Sequence, residues 1–154
     1  MTTAFAPVQL EIIRRAFAGQ MMSRANVQNA ILEKALSEVP RELFMPDGPW
    51  KMANGSEVHV LPENNPAHLY QDALFVLDED RGINNGSPAL HVKLLNSLAP
   101  RAGDRVAHFG IGAGYYSAIL ATIVGPDGRV VAVENDPTLA KMAQNNLRPW
   151  SNVT

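Results

Sequence analysis

The chain has 154 residues, the size of a single domain, and carries 13 basic against 15 acidic residues for a formal net charge of -2. This balance predicts neither a nucleic-acid-binding surface nor attachment to a membrane. The absence of cysteine excludes disulfides, thiolate metal sites and a cysteine nucleophile. The sequence has no signal-peptide pattern and no apolar run of the ~20 residues that a membrane helix requires, so we expect a cytoplasmic protein.

Two amphipathic helices are predicted near the start of the chain. Apolar residues recur at helical spacing over residues 10–21, and a second such pattern begins at Asn26 and continues to residue 39. The adjacent residues Met21 and Met22 are interpreted as ordinary core residues rather than a flexible binding surface.

The middle of the chain is rich in proline and glycine and predicts loops with short strands, one of them near residues 57–61. A third helix is predicted to begin at Ser87 and Pro88, because a serine cap followed by a first-turn proline is typical of a helix start. Pro100 ends this helix. Its predicted buried face consists of Leu90, Leu94, Leu95 and Leu98.

The most informative segment is residues 104–115, D-R-V-A-H-F-G-I-G-A-G-Y, which predicts a strand, a glycine turn and the start of a helix. The strand is placed at Arg105–Phe109. Glycines let the backbone turn sharply and approach a ligand closely. The three glycines of the turn are Gly110, Gly112 and Gly114.

The pattern continues with a helix over Tyr115–Val124 and a second strand over Arg129–Val133, which ends at Glu134. An acid at this position suits a ribose with two free hydroxyls. A further helix is predicted over residues 137–147. This order predicts an α/β fold with a nucleotide-type ligand over residues 110–114.

The glycine spacing distinguishes two cofactors. A dinucleotide site requires G-x-G-x-x-G, but here the third glycine comes one residue early. Tyr115 then takes the place of a small residue, and we expect it to obstruct a pyrophosphate, which disfavours a nucleotide-dependent oxidoreductase. The pattern G-x-G-x-G followed by an acid resembles class I S-adenosylmethionine-dependent methyltransferases, whose glycine loop passes under the methionine and whose acid holds the ribose.

Over most of its length the chain resembles the protein-L-isoaspartate O-methyltransferases. The resemblance is carried, in order, by V-P-R-E-L-F-M-P at residues 39–46, Y-Q-D-A-L at residues 70–74, a polar loop ending at Pro88, and the glycine motif. It implies a Rossmann-like class I methyltransferase fold and S-adenosyl-L-methionine as cofactor. It also implies methyl transfer to an oxygen atom of a protein or small-molecule acceptor.

The loop before the third helix departs from the family pattern. The family has T-I-S-x-P with the serine near the substrate, whereas this chain has N-N-G-S-P and places Gly86 at the serine position. Ser87 is adjacent, although a helix cap is its favoured interpretation. Asn85, Gly86 and Ser87 are the predicted substrate-side residues. The candidates for catalysis are Ser87 and Asp72, the latter either by ordering the substrate loop or by approaching the acceptor.

His108 is a second departure, because the methyltransferase pattern usually has an acid two residues before the first glycine. A protonated imidazole would repel the cationic cofactor, whereas a neutral one can accept a hydrogen bond. The alternative is a strand histidine satisfied by a backbone neighbour. The other histidines, His59, His68 and His91, are interpreted as surface or loop residues without metal-ligand spacing. The predicted cofactor-binding residues are His108, Gly110, Gly112, Gly114 and Glu134.

Two regions are predicted, a helical substrate-side region over residues 1–100 and the first half of the S-adenosylmethionine-binding domain over residues 101–154. Residues 151–154 resemble the entry to a third strand, so the Rossmann-like fold is expected to be incomplete. The uncovered first strand predicts self-association or a partner that completes the sheet. The residues expected near that cover, two of them facing inward, are Leu94, Leu95, Val106 and Phe109.

The leading hypothesis is therefore an S-adenosylmethionine-dependent O-methyltransferase. A non-catalytic relative that keeps the fold for protein interaction is the main alternative, favoured by His108 and Gly86. A nucleotide-dependent oxidoreductase is the third.

Overall fold

A computed structural model of the protein describes residues 6–55 and 57–154. Helix α1 spans Pro7–Ala25 and packs against helix α2, Ala30–Glu38. Both were predicted, but α2 begins later than residue 26. Asn26 has a left-handed φ of 54° and ends α1, whereas the side chain of Asn29 caps α2 by accepting a hydrogen bond from the Leu32 amide. Asparagine suits both positions, because its short amide tolerates left-handed backbone and caps helices.

The middle of the chain forms a small antiparallel sheet that packs on Trp50, Leu69 and Phe75. The strand predicted near residues 57–61 is confirmed as the second of its strands. A short 3-10 helix at Arg41–Phe44 precedes the sheet in sequence, and another at Pro66–Leu69 lies between its second and third strands. The strands, in the spatial order β2-β1-β3-β4, are β1 Lys51–Asn54, β2 Glu57–Val60, β3 Leu74–Asp78 and β4 Ile83–Asn84.

Helix α3 spans Pro88–Leu98 and begins where the sequence predicted, with the hydroxyl of Ser87 accepting a hydrogen bond from the Leu90 amide. Its predicted buried face is wrong for three of the four leucines, because Leu90, Leu94 and Leu98 are each more than half exposed and only Leu95 is buried. The helix carries two apolar stripes, and the stripe with the smaller side chains packs against α1. The residues of that buried stripe are Pro88, Ala89, Val92 and Leu95.

The glycine motif lies between two parallel strands. Strand β5, Arg105–Phe109, pairs with β6, Arg129–Val133, and helix α4, Tyr115–Val124, connects them. These three predicted ranges are confirmed. Helix α5 spans Pro137–Asn146, one residue shorter than predicted. Beyond α5, Val153 makes a parallel bridge to Val130 of β6, as expected for the entry to a third strand.

One face of the β5–β6 pair is buried and the other is exposed. Val130 is fully buried on the face that α4 covers, and Val106 packs against the same core. On the opposite face Phe109 is 73% exposed and Val131 is 44% exposed. Of the four residues expected near a cover, Leu95 is buried and Val106 packs against the core, whereas Leu94 and Phe109 are exposed.

One main core joins the helices on both sides of residue 100. Phe17 of α1, Val92 of α3 and Ile119 of α4 are all almost completely buried within it. Met21 and Met22 are also buried, which confirms their interpretation as core residues. In the part of the chain that the structure describes, no helix has the length and apolar character needed to span a membrane.

Replacing Leu95 with alanine is expected to lower the free energy of unfolding by about 2–4 kcal/mol, because the change removes a buried side chain from the core. The matched Leu94→Ala variant is expected to change it by less than about 0.5 kcal/mol, since Leu94 is already exposed. Urea denaturation followed by circular dichroism measures both. Equal losses in the two variants would contradict the orientation of α3.

Candidate functional site

The glycine turn is held in place by Glu134, which follows the last residue of β6. One carboxylate oxygen of Glu134 accepts a hydrogen bond from the Gly112 amide at 2.8 Å, and the other accepts one from the Asp136 amide at 3.0 Å. The Gly110 amide donates to the Val133 carbonyl at 2.8 Å and extends the strand pairing to the first glycine. The predicted glycine and acid residues therefore come together at the carboxyl ends of the two strands.

Two of the glycines have identifiable roles. Gly110 has a φ of 71°, and a Cβ atom there would point into open space, so the outer surface of the turn is free for a ligand to approach. Gly114 has a φ of 96°, and a Cβ atom there would lie 2.9 Å from the Leu147 side chain. The third glycine thus allows the start of α4 to pack closely on the residues that follow α5.

Tyr115 is buried in the core, and it also lines a small cavity beside the glycine turn. Its ring packs edge-on against Phe44, with centroids 5.5 Å apart, and the residue is 5% exposed. Our expectation that this side chain obstructs a pyrophosphate stays a prediction. The large residue at this position fills the space between α4 and the 3-10 helix Arg41–Phe44.

A cavity of about 190 Å³ separates the glycine turn from the loop that precedes α3. It brings together predicted cofactor-side residues, such as His108 and Gly110, with predicted substrate-side residues, Asn85 and Gly86. The full lining consists of Leu77, Asn84, Asn85, Gly86, His91, His108, Gly110, Ile111, Gly112, Ala113, Tyr115 and Tyr116. A larger cavity of about 770 Å³ lies on the other side of Ile111, with Glu134 in its wall.

His108 is satisfied by a side chain and not by the backbone. Its Nδ1 atom lies 2.9 Å from the Ser117 hydroxyl of α4. Burial lowers the pKa of His108 below its ordinary value, the nearby His91 lowers it further, and Glu134 opposes the shift. The imidazole is therefore neutral at neutral pH, which is the form that the neutral-acceptor hypothesis requires.

Ser87 and Asp72 form a linked pair outside the cavity lining. The Ser87 hydroxyl lies 3.0 Å from a carboxylate oxygen of Asp72, and the same oxygen accepts a hydrogen bond from the Ala89 amide at 3.1 Å. Arg24 of α1, which the sequence analysis did not identify, makes an ion pair with Asp72 at 2.6 Å. This geometry fits the role of ordering the loop before α3.

Two further residues of this region, His91 and Arg41, have contacts that were not predicted from the sequence. His91 was interpreted as a surface or loop residue, but it lies in α3 at the cavity wall, partly buried. Arg41 is 3% exposed, and its guanidinium donates hydrogen bonds to the carbonyls of Leu69 and Gln71. The guanidinium also lies 5.5 Å from the ring centroid of Tyr115, so the V-P-R block ties the small sheet to the start of α4. No residue pattern in the sequence identifies either contact, because both depend on tertiary packing.

Comparison with known proteins shows the family. A model of the protein-L-isoaspartate(D-aspartate) O-methyltransferase family matches residues 15–152. The protein-L-isoaspartate O-methyltransferase of Ignicoccus hospitalis is 30% identical over 94% of this chain and 58% of its own length. That of Aeropyrum pernix is 35% identical over 74% of this chain and 37% of its own length. The chain therefore spans about half the length of the curated relatives it matches.

Solved structures agree on the fold. A protein-L-isoaspartate O-methyltransferase matches over 90% of this chain and 40% of its own, with a TM-score of 0.69 and 23% identity. A second structure, from Plasmodium falciparum in complex with S-adenosyl-L-homocysteine, matches over 91% of this chain and 60% of its own, with a TM-score of 0.65 and 16% identity. The predicted fold class, an incomplete Rossmann-like class I methyltransferase fold, is confirmed.

The free energy of unfolding is expected to fall as the pH drops below about 6.5, the ordinary pKa of histidine. Burial lowers the pKa of both His91 and His108 in the folded chain, so the unfolded chain binds more protons in this range and acid favours unfolding. Denaturant titrations at a series of pH values measure the slope. A His91→Gln/His108→Gln double variant is expected to weaken the dependence, and a His59→Gln control should keep it.

Proposed function

The chain belongs to the protein-L-isoaspartate(D-aspartate) O-methyltransferase family, and from this membership we propose that it binds S-adenosylmethionine and acts in methyl transfer to an oxygen atom. The observation that carries the proposal is the position of Glu134. Its carboxylate lies at the end of β6 and contacts the glycine turn directly. A single acid thus fixes the turn and presents acceptors to a ribose.

The hydrogen-bond acceptors of Glu134 suit the ribose of the proposed cofactor. Each oxygen of Glu134 uses one acceptor position on a backbone amide, which leaves a further lone pair on each for the two ribose hydroxyls. The open space over Gly110 leaves room for the chain that joins the ribose to the amino acid. The methionine end would then lie in the cavity beside His108, and the nucleoside would lie toward the cavity beside Glu134.

His108 would face the positively charged end of the cofactor as a neutral group. The Ser117 hydroxyl can accept a hydrogen bond from Nδ1, and the other ring nitrogen then carries a free lone pair. A lone pair attracts an ammonium group less strongly than the usual carboxylate does. Because the burial of His108 disfavours its charged form, the repulsion that a protonated ring would cause is avoided at neutral pH.

The acceptor would enter from the wall formed by Asn85 and Gly86. Ser87 remains a candidate there, but its hydroxyl already accepts from the Leu90 amide and contacts Asp72. We assign Asp72 a positioning role, in which it fixes the start of α3 and with it the cavity wall. The reaction needs two reactants held in line, and a rigid wall provides that alignment.

The open face of the β5–β6 pair would be covered by a second copy or by a partner. Phe109 is 73% exposed on this face, and among the described residues β5 pairs with β6 alone. An exposed apolar face beside an open strand edge favours association. We therefore propose that the chain alone self-associates or recruits a partner that completes the sheet.

Isothermal calorimetry tests the cofactor proposal. The chain is expected to bind S-adenosylmethionine and S-adenosylhomocysteine but not NAD. Glu134→Ala should weaken binding by about 1.5–3 kcal/mol, the scale of hydrogen bonds to a charged acceptor, and Glu134→Gln should weaken it less because one oxygen remains. The exposed Glu38 provides the control, since Glu38→Ala should not change the affinity. Equal affinity of wild type and Glu134→Ala would remove Glu134 from the site.

Sedimentation velocity at micromolar concentration tests the association proposal. The wild-type chain is expected to sediment as a dimer or larger species, and Phe109→Ser should shift the distribution toward monomer because it removes the most exposed aromatic ring of the open face. Ile12→Ser is the matched control, since Ile12 is 63% exposed on α1. A wild-type chain that stays monomeric over this range would be evidence against the proposal.

A further inference from the structure

The β3–β4 hairpin, residues 74–84, packs on the glycine turn. Leu77 of β3 and Asn84 of β4 line the cavity beside His108, where the methionine end of the cofactor is proposed to lie. A Cβ atom at Gly112 would lie 3.5 Å from a methyl carbon of Leu77. The strands of the hairpin therefore lie at one end of the proposed cofactor site.

The turn of the hairpin reaches the other end of this site through Arg81. The guanidinium of Arg81 donates a hydrogen bond through Nη1 to Oδ2 of Asp136. The Asp136 amide in turn donates to Glu134, whose carboxylate is proposed to bind the ribose. The hairpin thus extends from the methionine end of the proposed site to its ribose end.

Asp78 orients Arg81 for this contact. Oδ2 of Asp78 accepts a hydrogen bond from Nε of Arg81 at 2.7 Å and lies 2.6 Å from Nη2. Oδ1 accepts a hydrogen bond from the Arg81 amide at 3.2 Å. Nη1 is thereby directed to Asp136. The hydrogen bonds from Arg81 lower the pKa of both carboxyl groups, so Asp78 and Asp136 are ionised at neutral pH.

The contact between Arg81 and Asp136 is the polar link between the hairpin and the half of the chain that contains the glycine motif. Residues 79–82 are exposed, and β4 is a two-residue strand at the edge of the small sheet. Lys51 of β1 pairs with Glu79, which ties the turn to its own sheet. In the described part of the chain, no hairpin side chain other than Arg81 hydrogen-bonds to a residue beyond 100. Breaking this one link would therefore release the turn from α5.

The closed hairpin restricts access to the site. A cofactor that extends from His108 to Glu134 passes Gly112, and the Leu77 side chain already packs there. Entry and release therefore require the hairpin to move away from the glycine turn. Opening of a segment that covers a binding site commonly limits how fast a ligand enters and leaves.

We propose that the β3–β4 hairpin is a strap over the cofactor site and that the ion pair of Arg81 with Asp136 is the latch that keeps it closed; this rests on the cofactor binding proposed above. A latch of this kind raises the barrier for entry and for release. Its loss is expected to accelerate both and to leave the equilibrium affinity nearly unchanged. The loss of a residue that merely keeps the site in shape would weaken the affinity instead.

Surface plasmon resonance with S-adenosylhomocysteine over the immobilised chain measures both rates. Arg81→Gln and Asp136→Asn are each expected to raise the association and dissociation rate constants by about two- to fivefold, the scale of an exposed ion pair. Asparagine can still cap α5, so Asp136→Asn removes the charge and keeps the cap. The double variant should match the single variants, because each removes the same contact. Arg15→Gln, which breaks an exposed ion pair with Glu11 on α1, is the control and should change neither rate.

Salt gives a second test of the latch, because S-adenosylhomocysteine has no net charge at neutral pH and the latch is an exposed ion pair. Raising sodium chloride from about 50 to about 500 mM screens the pair and is expected to raise both wild-type rate constants toward those of Arg81→Gln. The rate constants of Arg81→Gln itself should stay nearly the same over this range.

Hydrogen exchange followed by mass spectrometry tests the latch without cofactor. Peptides that cover residues 74–84 are expected to exchange faster in Arg81→Gln and Asp136→Asn than in the wild-type chain. Unchanged exchange in this segment, an unchanged association rate constant, or an affinity weakened by faster release alone would overturn the latch. A wild-type chain that binds no S-adenosylhomocysteine would instead refute the proposed function, and the strap with it.

Discussion

The contact between Glu134 and Gly112 is the interaction on which the rest of the site depends. It joins the end of β6 to the middle of the glycine turn, so the position of the turn depends directly on that of β6. Because the Asp136 amide holds the second oxygen, the carboxylate has one orientation. The ligand surface is therefore defined before any ligand binds, which limits the ordering free energy that binding requires.

The departures from the family pattern are physically connected. Gly86 leaves room for the ring of His91, and His91 in turn lowers the pKa of His108 across the cavity. Two histidines that face one small cavity favour each other's neutral form, because charging one raises the free energy of charging the other. Gly86 and His108 are therefore parts of one cavity lining, which contains no aspartate, glutamate, lysine or arginine among the described residues.

The sequence predicted the parts of the fold that local rules determine. Strand β5 and helix α4 have the predicted bounds. The glycines at the two ends of the turn mark where the strand ends and where the helix begins, because they adopt backbone conformations that other residues avoid. The buried face of α3 was not predictable in this way, since both of its stripes are apolar and only packing against α1 selects Leu95 over Leu94. The positions of His91 and Tyr115 also depend on partners that are distant in sequence. His91 stacks on Tyr116, and Tyr115 packs against Phe44.

The apolar character of the open β5–β6 face reflects the composition of the strands. Strands with one solvated face alternate apolar and polar residues, whereas parallel strands covered on both faces are apolar throughout. In β6, Val130 is buried while Val131 and Val133 are exposed, yet all three are valines. The composition of β6 is therefore typical of a strand that is buried on both faces. Among the described residues, α4 covers one of these faces. Phe109 extends the same apolar surface to the carboxyl end of β5, beside the glycine turn. Whatever covers this face would thus lie beside the glycine turn, because Phe109 directly precedes Gly110.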